Sequence, residues 1–154
     1  MKVNLENYIA NKIQSGKTYV KNEPTSKQEI GDLFKIARRD LADSKKTEIS
    51  EDWQFGIAYN AALKLCTILL RADNKRVSAG AHHFLTMMAL PFYLGENYES
   101  VTNYLNRCRK KRNRIEYESV GGVNSDEISE LISFVSDLLQ TVEKWMYSNH
   151  PELM

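Results

Sequence analysis

Residues 128–146, ISELISFVSDLLQTVEKWM, decide the fold class. Ile128, Leu131, Ile132, Val135, Leu138, Leu139, Val142, Trp145 and Met146 recur at steps of three and four, the interval that puts side chains on one face of an α-helix. Asn124 followed by Glu127 can cap such a helix, Gly121 and Gly122 break the chain ahead of it, and Pro151 lies beyond its end. A helix with one broad apolar stripe must bury it against other elements. The partners are therefore sought upstream.

The first is Trp53 to Leu70, apolar nearly all round, with Ser50 as its cap and Glu51 and Asp52 beside its positive end. Gly56, Ala58, Ala61 and Ala62 are small enough to let other helices approach closely, which places this helix at the centre. Tyr59 and Asn60 then need polar partners inside. Before it, Ile30, Leu33, Phe34, Ala37 and Leu41 keep a helical period. Overlapping capping pairs, Thr25 with Gln28 and Ser26 with Glu29, precede that run, and it fades near Lys45 or Lys46. Leu5 to Gln14 is a weaker helical pattern, and Gly16 to Pro24 reads as a connection. Arg71 to Ser78 reads as a polar turn, followed by a shorter helix from about Ala79 to Leu90, with Pro91 and Gly95 at its exit. Glu96 opens the next helix, which cannot run far past Val120. Trp53, Trp145, Met87 and Met88 fall in apolar helical patterns and are expected in the core. With no strand pattern, the expectation is an all-α, up-and-down bundle of four main helices with one or two additional short ones. One domain over 1–154 is expected, with 1–24 as an N-terminal helix and connection and 25–147 as the bundle.

A chain of 154 residues that is 42% apolar has material for one core. Its net charge of +1 argues against a polyanion binder that works by bulk charge, so attraction to phosphate must come from a local cluster. Cys66 and Cys108 fall in separate apolar patterns without metal-ligand spacing, which fits a reduced, cytoplasmic setting. The N-terminus lacks the apolar core of a signal peptide. Ala61 to Leu70, the most apolar stretch, is interrupted by Lys64 and reads as too short to span a bilayer, so no membrane role is expected. His82 and His83 are adjacent, about 100° apart on a helix, and do not make the i, i+4 pair of a helical metal site. His150 is expected to be exposed. No Gly-rich phosphate loop, paired carboxylates or nucleophile motif occurs, so no metal and no cofactor is expected.

The local cluster is Arg107 to Glu118, RCRKKRNRIEYE. Tyr98, Val101, Leu105 and Cys108 form an apolar stripe whose rhythm continues onto Arg112 and Ile115. A guanidinium is therefore predicted on the inward seam, where it needs a carboxylate, a bound phosphate or an open cleft. Arg109, Asn113 and Tyr117 form a row at steps of four, while Lys110, Lys111 and Arg114 are expected on a solvated face.

The order of these elements, with ARRDLADS, AYNAALKLCTILLRAD and RKKRNRIEYES in place, resembles the HEPN superfamily of small helical domains, over about Gln28 to Trp145. The family's motif helix bears an Arg, then a polar residue, then a His a few positions on. Arg112 and Asn113 match the first two, and Tyr117 stands where the His would be. The resemblance implies a homodimer with motif helices facing one another, and for family members that cut RNA, metal-independent cleavage. It also implies RNA, a nucleotide or a nucleotidyltransferase-type protein as partner. Tyr is a poor substitute for the base, since at neutral pH only about one phenol in a thousand is ionised.

Binding is therefore expected over cutting, through Arg109, Arg112, Asn113, Glu116 and Tyr117. The alternative is a metal-independent endoribonuclease of toxin or defence type, with Arg112 as phosphate clamp and Tyr117 or His83 in an acid-base role. His83 qualifies if its helix packs beside Arg112. A purely structural reading pairs Arg112 with Glu116 and uses Asn113 and Tyr117 to satisfy neighbouring helices, or has Arg112 close an interface.

Overall fold

The computed structural model describes residues 3–14, 19–78, 83–117 and 121–154, without the side chains of Glu116 and Tyr117. The helices are α1 (Leu5–Ile13), α2 (Lys27–Ser44), α3 (Glu51–Ala72), α4 (His83–Met87), α5 (Ala89–Leu94), α6 (Glu99–Tyr117) and α7 (Ser125–Asn149). Single 3-10 turns occupy Glu96–Tyr98 and Pro151–Leu153. The architecture is an all-α bundle in which α2, α3, α6 and α7 are the four main helices.

The helix starts follow local chemistry. Ser26, Ser50 and Asn124 each accept the backbone N–H three residues on, which satisfies one of the donors a helix leaves open at its start. At α7 the Glu127 side chain returns the bond to the Asn124 N–H, completing a reciprocal cap.

The central position of α3 is borne out. Ala58, Tyr59, Ala61, Ala62, Leu65, Cys66, Ile68 and Leu69 lose all contact with solvent, and α2, α4, α5, α6 and α7 all pack on this helix. The whole of α3, longer than the Ala61–Leu70 stretch read from sequence, is long and apolar enough to cross a membrane by length and composition alone, but 72% of its apolar window is buried inside the bundle.

Other readings need correction. Val20–Asn22 (β1) and Lys75–Val77 (β2) pair antiparallel, Val20 against Val77, as a short ribbon where only a connection and a turn were expected. Arg71 belongs to the last turn of α3 and is buried, with its guanidinium clamping the ribbon onto the bundle. Its Nε donates to Glu29 Oε1 at 2.9 Å, and its terminal nitrogens donate to the carbonyls of Glu23, Pro24 and Lys75 at 2.8–3.1 Å. Trp53 is 64% exposed, because it lies in the first turn of α3, where the helix emerges from between its neighbours. His150 is not fully exposed: its ring lies 5.3 Å from that of Trp145, and Nδ1 is 3.4 Å from Glu152 Oε1.

The first turn expected for the short helix, 79–82, lies outside the described residues, as does the expected histidine at 82. Pro91 sits inside α5 rather than at its exit, in the first turn, where a missing N–H is tolerated. Thr102, buried on α6, donates its hydroxyl to the Met87 carbonyl at 3.4 Å, the group a residue-91 N–H would have sought. Gly95 (φ 116°) then ends α5 as expected, in a conformation that favours glycine.

Candidate functional site

Along α6 the expected stripe is in place. Leu105 and Cys108 are buried, and Tyr98, Val101 and Ile115 pack against the core. Arg112 follows in phase. It is partly buried, its Nε is sealed from solvent, and its guanidinium carbon lies 5.4 Å from the centroid of the Tyr59 ring. A cation over an aromatic face is attracted by the ring quadrupole, more strongly where water is excluded. Tyr59 in turn bonds through its hydroxyl to His83 Nδ1 at 3.0 Å. A residue of the central helix thus links the seam arginine to the first residue of α4, and the histidine considered from sequence as a substitute base does sit in the neighbourhood of Arg112.

The electrostatics of this trio are one-sided. Burial pushes the Tyr59 phenol well above its ordinary value, against the opposing pull of Arg112 and Arg109, so the hydroxyl keeps its proton. Burial lowers the His83 imidazole, and the positive charges of Arg112, Arg109 and Lys64 lower it further, so the ring is held toward its neutral form. Arg109 also donates from Nε to Asn106 Oδ1 at 2.9 Å, which braces it along the helix.

The next faces of α6 carry the remaining cations. Arg107, Lys110, Asn113 and Arg114 line an open hollow of about 550 Å³. Lys110 and Arg114 are exposed, as expected for a solvated face. Lys111 is not: its ammonium reaches across to Glu127 in the first turn of α7, and the side chain is only 21% exposed. That contact helps pull the Glu127 carboxyl below its usual range. A smaller hollow of about 250 Å³ on this side, between Phe55, Tyr104 and Arg107, carries Glu127 and Glu130 and so has mixed charge. The Arg107 guanidinium rests 5.9 Å from the Tyr104 ring, which packs edge-on to Phe134.

No protein-family model, no curated protein and no solved structure matches this chain. Its chemistry is therefore read from the side chains alone. Of the residues singled out from sequence, Arg112, Arg109 and His83 lie around Tyr59, whereas Asn113 lines the outer hollow with residues read as mere surface. One step along a helix turns a side chain by about 100°, which accounts for the divergence of Arg112 and Asn113. The roles expected of Glu116 and Tyr117 fall on side chains outside the described residues. Tyr59 was legible only as a buried hydroxyl in need of a partner, and Arg107 only as part of the basic run. Among the described residues no three His, Cys, Asp or Glu side chains gather as a metal-binding group.

Proposed function

We propose that this chain is a HEPN-like helical module that binds RNA without cutting it, through the C-terminal half of α6, and that it works as a homodimer. The observation that carries the reading is the hollow bordered by Arg107, Lys110, Asn113 and Arg114, in which none of the described lining residues is acidic. On a chain with net charge +1, such a concentration of cations is a local feature suited to phosphate rather than a by-product of bulk charge. From Arg107 to Arg114 the belt covers about 10 Å of helix axis, more than a single phosphate needs. That length favours a nucleic-acid strand over a lone nucleotide. Asn113 adds a group able both to donate and to accept, which backbone phosphates do not require but base edges use.

A direct test is the binding of a short single-stranded RNA across a salt series. The wild type is expected to bind with strong salt dependence. Arg107→Ala, Lys110→Ala and Arg114→Ala are each expected to weaken binding and reduce the slope of log K against log salt by about 0.7 per lost phosphate contact. Salt-independent binding, or unchanged affinity in all three variants, would refute the proposal. Binding confined to a nucleotide, or to a nucleotidyltransferase-type protein, would replace RNA as the ligand.

One observation favours a second reading, metal-independent RNA cleavage. Tyr59, whose ring lies by Arg112, bonds His83 through its hydroxyl, so an imidazole of lowered pKa stands in the neighbourhood of a candidate phosphate clamp. Incubation with RNA and a chelator separates the two. Cleavage lost in both His83→Ala and Arg112→Ala supports this second reading, and RNA left intact supports binding alone.

A further inference from the structure

The two hollows along α6 share a border, because Arg107 and Arg114 line both. These arginines are two helical turns apart and so project from the same side of the helix. Beyond them in one direction lies the acid-free hollow with Lys110 and Asn113; in the other lies the smaller one, which reaches α7. Its chemistry is different. Phe55, Tyr104 and Cys108 give it apolar walls, and two carboxylates enter it from α7. They are not equivalent. Glu127 is occupied, one oxygen taking the Lys111 ammonium and the other the Asn124 N–H. Glu130, one turn on, has no hydrogen bond or ion pair among the described residues, and its charge is felt at Tyr104 and Cys108. An ionised carboxylate only accepts, so this hollow suits a ring that carries N–H donors better than it suits a second phosphate. At about 250 Å³ it falls below the roughly 300–1,000 Å³ of pockets that take a drug-sized ligand, which fits one flat ring system.

Among the RNA bases, guanine alone presents an N–H and an amine side by side, matching the two oxygens of a carboxylate, and on its other edge two acceptors, O6 and N7, that match a guanidinium. Adenine and cytosine set a single amine beside a ring nitrogen that a carboxylate repels, and uracil flanks its one N–H with carbonyl oxygens. Resting on the reading of the Arg107 to Arg114 belt as an RNA-binding surface, we propose that the hollow between Tyr104 and α7 is a base subsite selective for guanine: Glu130 accepts from N1–H and the exocyclic amine, Arg107 faces O6 and N7, and the adjoining phosphates follow the acid-free hollow. An arginine on the border can serve both, because its planar fork carries five donors. Arg107 is also braced for the task, since its guanidinium rests 5.9 Å from the Tyr104 ring, which is itself packed on Phe134. A single-stranded segment can turn one base out into such a seat while its backbone stays on the cations.

The probes are short oligouridylate strands, one of uridine alone and the others with a single central guanosine, adenosine, cytidine or inosine, compared by fluorescence anisotropy at fixed salt. The guanosine strand is expected to bind about fivefold to tenfold more tightly than the uridine, adenosine and cytidine strands, near the lower end for a bidentate pair because Glu130 is exposed. Inosine, which is guanosine without the exocyclic amine, should lose most of that preference. In Glu130→Gln the preference should vanish while the uridine strand binds as tightly as before or more tightly, since the substitution removes a negative charge beside the phosphates. A merely structural glutamate would not produce that pair of results. Equal affinity for all strands, preference for another base, a guanosine preference that survives Glu130→Gln, or a uniform weakening of every strand in that variant overturns the inference while leaving the RNA-binding reading intact. Failure of the wild type to bind any strand overturns both.

Discussion

Arg71 and Arg112 are the two arginines whose positions say most, and the bundle uses them differently. Arg71 has carbonyls and a carboxylate on every side, drawn from chain segments more than forty residues away as well as from the adjoining ribbon. Nothing in its local sequence announces this, because helical period reports a face and says nothing of distant partners. Truncation in Arg71→Ala would leave the carbonyls of Glu23, Pro24 and Lys75 without this donor and take one of its donors from Glu29, which keeps Thr25 and Arg76. The expected loss is about 3 kcal/mol, toward the low end for a broken buried pair, because the Glu29 side chain is still 33% exposed. Denaturant titration measures it. The same site gives the acid limb of stability. Burial raises the Glu29 carboxyl, but hydrogen bonds from Thr25 and Arg71 and the charges of Arg71 and Arg76 outweigh it and leave the group below its ordinary value. A depressed carboxyl contributes stability above the unfolded value of about 4.3, and that contribution is lost as pH falls through the folded value. Stability recorded against pH should therefore fall less steeply below about pH 4.3 in Arg71→Ala than in the wild type, because the variant has less of this contribution to lose. Gly56 gives the opposite kind of prediction. It was read as a close-approach position, yet a Cβ there would meet nothing within 4 Å. Gly56→Ala is thus expected to stabilise the protein by about 1 kcal/mol through helix propensity, visible as a higher melting temperature.

At the scale of elements, what was legible is what local chemistry enforces. Ser26, Ser50 and Asn124 mark their helix starts because the side chain that caps and the N–H that is capped are three residues apart. The consequence is measurable at α7, where Asn124→Ala removes a reciprocal cap and should cost about 1 kcal/mol in chemical denaturation. The ribbon was illegible for the complementary reason. Three residues hold barely one alternation of inward and outward side chains, so β1 and β2 carry no period, and their pairing joins positions 20–22 to 75–77. On α6 the period placed Arg112 correctly on the seam. It did not foresee that Lys111 would reach Glu127 or that the outer cations would border a hollow, since both depend on how α7 lies alongside.

For the whole molecule, the all-α architecture and the order of the four main helices follow from amphipathic stripes alone, because each stripe must be covered and α3 is apolar enough to cover the rest. Burial in that shared core also silences the cysteines. Desolvation pushes the Cys66 thiol up to about 12 and the Cys108 thiol up to about 11. At neutral pH the Cys66 thiolate is scarcer than that of a free cysteine by on the order of a thousandfold, before any barrier of access. Alkylation by iodoacetamide should therefore be negligible in the folded protein, and its rate in increasing urea should track the unfolded fraction. Rapid labelling in native buffer would contradict the packing described for α3 and α6.

The two tryptophans divide in a way that follows from where α3 starts and where α7 ends. Trp53 projects into water, while the Trp145 indole is wedged between the rings of Tyr93 and His150, at 5.6 and 5.3 Å. The intrinsic emission of this protein is therefore the sum of a wet emitter and a sheltered one. Only the sheltered component should redden when the bundle opens, and only the wet one should be open to a dissolved collisional quencher while it stays shut.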